Sequence, residues 1–312
     1  MEKVLSTRNI SYEDWKNARR QGIGGSDAAA VCGLNRWKSP LAVYLEKIGE
    51  IENDIDNEQM YWGRVLEDVV AREFAKRTKM KVRNVNFIVR HPLYPFMIAN
   101  LDRKIERKPY LLECKTTSVY RADEWKDSIP QEYALQVHHY LAVTGYQKAY
   151  VAVLIGGQKF VIREIGRDPE IIEYLIKIEK EFWQMVETRT PPAIDGSDEA
   201  KRILDLLYPV AVQKNPIQLD NSVNALIEDR NALAKQIKQL EVLKNEKENQ
   251  LKALLKGNES GKTDKYIVQW KNVQSSRFDL KGFREAHNEL YQEYSKPVIY
   301  RRFMIKEVKN HE

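Results

Sequence analysis

The chain has 312 residues, 43% of them hydrophobic, with 51 Lys and Arg against 45 Asp and Glu and two cysteines. That length can bury one substantial core and carry an appendage, and a formal net charge of +6 does not by itself establish a polyanionic ligand. Two thiols, Cys32 and Cys114, exclude a disulfide framework and a four-thiolate iron–sulfur cluster within the chain, and the lack of a basic-apolar leader or a bilayer-length apolar run predicts a soluble protein of a reducing cytoplasm, without membrane attachment.

Near the N-terminus, Gly24-Gly25-Ser26-Asp27 before Ala28-Ala29-Ala30-Val31 reads as a helix start. Ser26 is the expected cap, the free amides favour an anion, and Arg20 lies just upstream with Arg19 beside it. An ordinary capped helix in a Gly-rich loop fits the same pattern. No strand precedes it, so it does not match a dinucleotide fingerprint.

The stretch YWGRVLEDVVAREFAKRT has helical period and places Glu67 on the face of Val70, Ala71 and Phe74, with Asp68 beside Arg64 and Arg72. A carboxylate on an apolar face must find a cation or a metal ion, and the sequence leaves both open for Glu67. Next come MIANLDR and YLLECKT, separated by the turn Glu106-Arg107-Lys108-Pro109. An antiparallel hairpin there brings Asp102 alongside Glu113, while strand alternation puts Glu113 and Lys115 on one face and Leu112 and Cys114 on the other, toward the core.

In PQEYALQVHHYLAVTGY, Gln136 and Tyr140 stand one helical turn apart beside Val137 and Leu141. His138 and His139 fall on different helix faces with no Cys partner at zinc spacing, so they read as core or surface histidines. A helix over about Ile171 to Val186 ends before Thr190-Pro191-Pro192 and Gly196-Ser197, which mark the end of the first domain. From Ser222 to Lys256 a long helix carries Leu226, Leu233, Ile237, Leu240, Leu251 and Leu254 near heptad spacing, interrupted by Arg230, Lys244 and Lys247.

GNESGKT near Gly257 has P-loop spacing that is one residue short and follows a helix, so it reads as a helix stop and loop. The tail offers strand-like DKYIVQWKNV and VIYRRFMIKEV around a helix, FDLKGFREAHNELYQEYSK, capped by Asp279. Trp270, Phe278, Phe283, Tyr291, Tyr294 and Phe303 are expected to form its small core. Residues 1–200 hold 30 cationic and 30 anionic side chains and the remainder 21 against 15, so the whole positive excess lies in the last third.

Asp102, Glu113 and Lys115 together suit phosphodiester hydrolysis. Carboxylates are the donors that Mg²⁺ or Mn²⁺ prefers, and an ammonium beside them can orient water or meet developing charge on phosphate. Two ionised carboxylates ~5 Å apart repel by about 3 kcal/mol at an effective dielectric near 20, so a metal ion should stabilise the pair.

The ordered set Gly63xxxGlu67, Asp102, Glu113xLys115 and Gln136xxxTyr140 resembles the PD-(D/E)xK nuclease superfamily. With the opening run RRQGIGGSDAAAVCGLNRWKSPLAVYLEKIGE, it looks like the YqaJ-type phage recombination nucleases, relatives of the exonuclease of phage lambda. Leu101 stands where Pro often precedes the Asp. The resemblance implies an α/β (α+β) fold: a restriction-endonuclease-like core with a mixed central sheet flanked by helices over residues 1–210, then the long helix and a small basic α+β tail over 211–312. It implies that Asp102, Glu113 and Glu67 bind metal, that Lys115 is catalytic, and that Gln136 and Tyr140 place substrate or water. Arg20 and Ser26 would hold a 5′ phosphate. The implied activity is a Mg²⁺- or Mn²⁺-dependent deoxyribonuclease, 5′-to-3′ on linear duplex ends, leaving 3′ tails for a RecT-like annealing protein, with homotrimers seen among relatives. An endonuclease with the same core, or a silent DNA-binding scaffold, stays open as an alternative.

Overall fold

Side chains that alternate between two apolar environments define the main sheet of this protein. The computed structural model describes residues 1–51, 57–213 and 215–307. The chain separates into two units, Met1–Tyr208 and Pro209–Glu312.

In chain order the first unit runs β1 (Glu2–Ser6), α1 (Tyr12–Arg20), α2 (Gly25–Val31), α3 (Pro40–Ile48), α4 (Glu58–Thr78), β2 (Val82–Asn84), β3 (Phe87–Arg90), β4 (Ile98–Asn100), β5 (Arg103–Ile105) and β6 (Tyr110–Thr117). After a 3₁₀ turn at Val119–Trp125 come α5 (Gln131–Thr144), β7 (Lys148–Ile155), β8 (Lys159–Gly166), α6 (Pro169–Glu187) and α7 (Asp198–Leu207). The local signals for the helices are conventional. Ser11, Ser39, Asn57, Asp168 and Ser197 each accept a hydrogen bond from a first-turn backbone N–H, Pro40 and Pro169 occupy first-turn positions, and Gly49 and Gly145 close α3 and α5 with positive φ.

A five-stranded sheet has the order β2-β5-β6-β7-β8, with β6 and β7 parallel and the other pairs antiparallel. It is the mixed sheet that the sequence implied, flanked by helices. Leu111, Val151 and Val153 face α5, whereas Leu112 and Ala152 face Val70, Ala71 and Phe74 of α4. Both faces of β6 are thus covered, as expected of a strand joined to its parallel neighbour through a crossover helix. A second, three-stranded sheet has the order β1-β3-β4, and α2, α3, α6 and α7 share a further apolar cluster around Ile23, Val43, Phe182 and Ile203.

MIANLDR is not one strand. The chain leaves the smaller sheet after Asn100 and enters the larger one at Arg103, so Leu101 and Asp102 form the corner between them. The β5–β6 register pairs Arg103 with Leu112, which sets Asp102 level with Glu113.

The second unit contains α8 (Val223–Leu255), a short β9–β10 hairpin (Ser260–Lys262 with Ile267–Gln269), α9 (Leu280–Ala286) and α10 (Asn288–Tyr294). Several expectations for the tail need correction. Ser260–Lys262 is a paired strand rather than loop. The single tail helix breaks at His287, where weak helix formers meet, although Asp279 does cap its first half. Residues 298–307 form no strand, and Val308 lies outside the described residues. Without a pairing strand and a continuous helix face, the aromatic core does not assemble. Phe278, Tyr294 and Phe303 are exposed, and the contacts are local, such as Phe278 to Phe283 at 5.0 Å between ring centres. Among the described residues no helix is long and apolar enough to cross a membrane.

Candidate active site

The crossover helix α5 lies over the face of β6 from which Glu113 and Lys115 project, so topology alone brings Gln136 and Tyr140 to them. Gln136 Nε2 donates to Glu113 Oε1 at 2.8 Å and to the Tyr140 hydroxyl at 2.9 Å. Lys115 Nζ donates to Gln136 Oε1 at 3.0 Å and sits 2.8 Å from Glu113 Oε1. An ammonium only donates and an ionised carboxylate only accepts, so the Gln136 amide has one orientation that satisfies both neighbours. Asp102 Oδ2 accepts the Cys114 N–H at 2.8 Å, fixing this carboxylate across the strand from Glu113.

The electrostatics of this group are unbalanced. Burial, then repulsion from Glu113 and Glu67, pushes the Asp102 carboxyl well above the usual carboxylate range. Burial works against charge on Lys115, but Glu113 and Asp102 outweigh it and hold the ammonium protonated. Burial and the same two carboxylates push the Tyr140 hydroxyl up. Glu113 is buried, and its Oε2 has no hydrogen-bond partner. A buried carboxylate oxygen left bare beside a second carboxylate is the donor chemistry that a hard divalent cation takes.

Glu67 is engaged elsewhere: its carboxylate contacts Arg103 Nη1, and the same Arg103 nitrogen donates to the Asp102 backbone carbonyl at 2.7 Å. Of the two options open from sequence, this geometry realises the cation partner. Among the described residues, no group of three His, Cys, Asp or Glu side chains is gathered as a metal site would gather them. The carboxylate cluster here consists of Asp102 and Glu113.

The N-terminal segment reaches the same place through a different residue than expected. Arg19 Nη2 donates to Ser26 Oγ at 2.8 Å, whereas Arg20 Nη1 reaches Asn17 Oδ1 at 3.4 Å. One step along a helix turns the side chain by about 100°, which is enough to exchange the two arginines. Ser26 is not the cap either. Gly24 takes that position, and the Asp27 carboxylate accepts its N–H at 3.2 Å because Asp27 stands at the third helical position. Gly25 packs directly on Tyr140, since an added Cβ would lie 2.3 Å from Tyr140 Cε1.

Arg19, Ser26, Gly25, Glu67, Asp102, Glu113, Lys115, Gln136 and Tyr140 line one cavity of about 1280 Å³, and Arg20 does not. Trp15, Trp37 and Trp62 also line it, and the last two are half exposed.

Sequence reasoning missed several supporting residues. Asp27 is fully buried with Lys38 Nζ at 2.9 Å, Lys47 Nζ at 2.8 Å and Arg19 Nη2 at 3.7 Å. Burial raises its pKa, but Lys38, Lys47 and Arg19 together hold it well below the usual range. The spacing of these cations along a loop and a second helix gave no sequence signal. His139 is buried against Glu179, with Nδ1 2.8 Å from Oε1 and Nε2 2.8 Å from the Ile98 carbonyl. Tyr133 presents its ring 5.0 Å from Lys115 Nζ, and its i−3 relation to Gln136 could have marked it.

Residues 14–147 match the model of the YqaJ-like viral recombinase domain. In overall fold the chain is similar to an alkaline exonuclease from Laribacter hongkongensis, with a TM-score of 0.50 and 19% identity over 62% of this chain and 99% of that one. It is 42% identical over 312 residues to the uncharacterized protein YqaJ of Bacillus subtilis (strain 168), covering 98% of each chain, and it therefore belongs to the YqaJ family.

Proposed function

We propose that the protein is a Mg²⁺- or Mn²⁺-dependent deoxyribonuclease that removes nucleotides from the 5′ ends of linear duplex DNA. The observation that carries this reading is the bare Oε2 of buried Glu113 beside Asp102, with Lys115 fixed 2.8 Å from the same carboxylate. Asp102 and Glu113 would hold the metal ion, and Glu67 would support them through Arg103. When bound, such an ion supplies Lewis acidity at phosphate and a hydroxide-like water at neutral pH.

The protein's own groups do the rest. Lys115, oriented by Glu113 and Gln136, offers N–H donors where negative charge grows on the phosphate oxygens as water adds to phosphorus. The bond from phosphorus to the 3′ oxygen breaks, and that oxygen takes a proton, releasing a 5′ mononucleotide. Gln136 couples α5 to both charged partners, and Tyr140 fixes the amide from the far side. Arg19 and Ser26 supply donors for a terminal 5′ phosphate on the same cavity wall. Duplex ends are thus the proposed substrate. The product would be a 3′ single-stranded tail suited to a RecT-like annealing partner, and a homotrimeric core is the assembly that the resemblance suggests.

The test is degradation of linear duplexes labelled at either end, with and without a 5′ phosphate, beside a closed circle and a Lys115→Ala control. Loss of 5′-terminal nucleotides from the linear duplex only, abolished by Lys115→Ala, is expected. Cutting of the circle would replace this reading with an endonuclease. An absence of cleavage in both Mg²⁺ and Mn²⁺ would leave a DNA-binding scaffold.

A further inference from the structure

The 33 residues of α8 keep one seven-residue register from end to end. With Val223 at position a, the a positions continue as Arg230, Ile237, Lys244 and Leu251, and the d positions are Leu226, Leu233, Leu240, Lys247 and Leu254. The apolar a and d positions, with Ile227 and Leu255 at e and Leu243 at g beside them, keep a 3.5-residue period over the length of the helix, the spacing that pairs with another helix. None of these residues belongs to a buried apolar cluster, and Leu233, Ile237, Leu240 and Leu254 are 58%, 57%, 65% and 77% exposed.

The cations in the seam select the partner and its direction. In a parallel pair of identical helices in register, Arg230, Lys244 and Lys247 would each face their own copy, giving three like-charged layers. An antiparallel pair centred on Val242 has none. Residues equidistant from Val242 then face one another: Leu240 meets Lys244 of the second copy, Ile237 meets Lys247, Leu233 meets Leu251, and Arg230 meets Leu254. Each cation lays its methylene stem along an aliphatic side chain while its charged end reaches outward. Glu241, at e, stands beside Lys244 of the second copy, and Leu243, a 54% exposed residue at g, meets its own copy at the centre. A helix that satisfies all of its seam cations against its own reversed sequence is complementary to itself.

We infer that α8 joins two copies of this chain as an antiparallel coiled coil centred on Val242. The test uses the full chain. Light scattering after size exclusion should show the mass of Leu240→Asp at half that of the parent where α8 joins separate assemblies of the first unit, as in a monomer from a dimer or a trimer from a hexamer. Because Leu240 is exposed, unchanged circular dichroism is expected in the variant. In oxidative cross-linking, an equimolar mixture of Leu240→Cys and Lys244→Cys chains should give the mixed disulfide, identified by peptide mass, whereas neither variant alone should link through α8. An unchanged mass in Leu240→Asp together with no mixed disulfide would overturn self-pairing and assign the seam to another segment or another protein. Linking by either variant alone would overturn the antiparallel arrangement.

Discussion

Asp27 is a fully buried carboxylate of the first unit and Asp102 a partly buried one, and their surroundings drive them in opposite directions. Asp27 is met by Lys38, Lys47 and the Gly24 N–H, with Arg19 close by, and is held ionised far below its usual range. Asp102 has one backbone donor, two acidic neighbours and a lysine shared with Glu113, and it is pushed far above that range. A carboxylate used for architecture comes with its counter-ions built in, whereas one left short of positive charge implies that the charge is to be supplied from outside.

Substituting each Asp by Asn sets the two roles against each other. Asp27→Asn leaves the buried Lys47 without its anion, while Lys38 keeps Glu46, and should destabilise the fold by about 3–5 kcal/mol, measured by urea denaturation. Asp102→Asn should leave the metal-free protein at least as stable as the parent while lowering nuclease activity by about 10²–10³-fold, a typical loss for one pre-organised electrostatic group. A parent-like nuclease rate in Asp102→Asn would remove this residue from the site.

Adding Mg²⁺ at 100 times its dissociation constant should stabilise the parent by about 2.7 kcal/mol, and should do nothing for Asp102→Asn. The pH dependence separates the two carboxylates by sign. The contribution of Asp27 is complete above the unfolded carboxyl pKa of about 3.9 and is lost as pH falls below it, because the folded pKa is lower still. Asp102 is the reverse: its folded state holds a proton more tightly, so metal-free stability falls as pH rises from about 4 through the raised folded value. Denaturation midpoints measured in chelator should therefore show a downward slope above pH ~4 that Asp102→Asn abolishes. The smallest expected effect lies at Ser26. Arg19→Gln should reduce any preference for 5′-phosphorylated ends by roughly tenfold, the scale of one charge-assisted hydrogen bond, and Arg20→Gln should leave that preference intact.

Where the sequence was informative, the reason was local geometry. The turn at Glu106 to Pro109 and strand alternation were enough to set Asp102 level with Glu113, and helical spacing was enough to pair Gln136 with Tyr140. The corner at Leu101 and Asp102 was hidden, because MIANLDR carries no Gly or Pro to mark the step between the two sheets. Asp27 with its lysines and His139 with Glu179 were hidden for another reason. A buried ion pair is spelled with the same residues as a solvated one, and only tertiary packing distinguishes them. The choice of Arg19 over Arg20 turned on a single helical step. In the second unit, alternation and aromatic content suggested a core, but residues 298–307 form no strand to add to the β9–β10 hairpin.

The seat of Tyr140 on Gly25 ties two positions together in their permitted replacements. With no room for a methyl group at residue 25, any larger residue there must displace the ring, and with it the hydroxyl that steadies Gln136. Gly25→Ala alone should then be poorly tolerated, while the same change accompanied by a smaller residue at 140 regains the packing but loses the hydroxyl. Sequence drift at these two sites is therefore expected to be joint rather than independent, although 114 residues of chain lie between them.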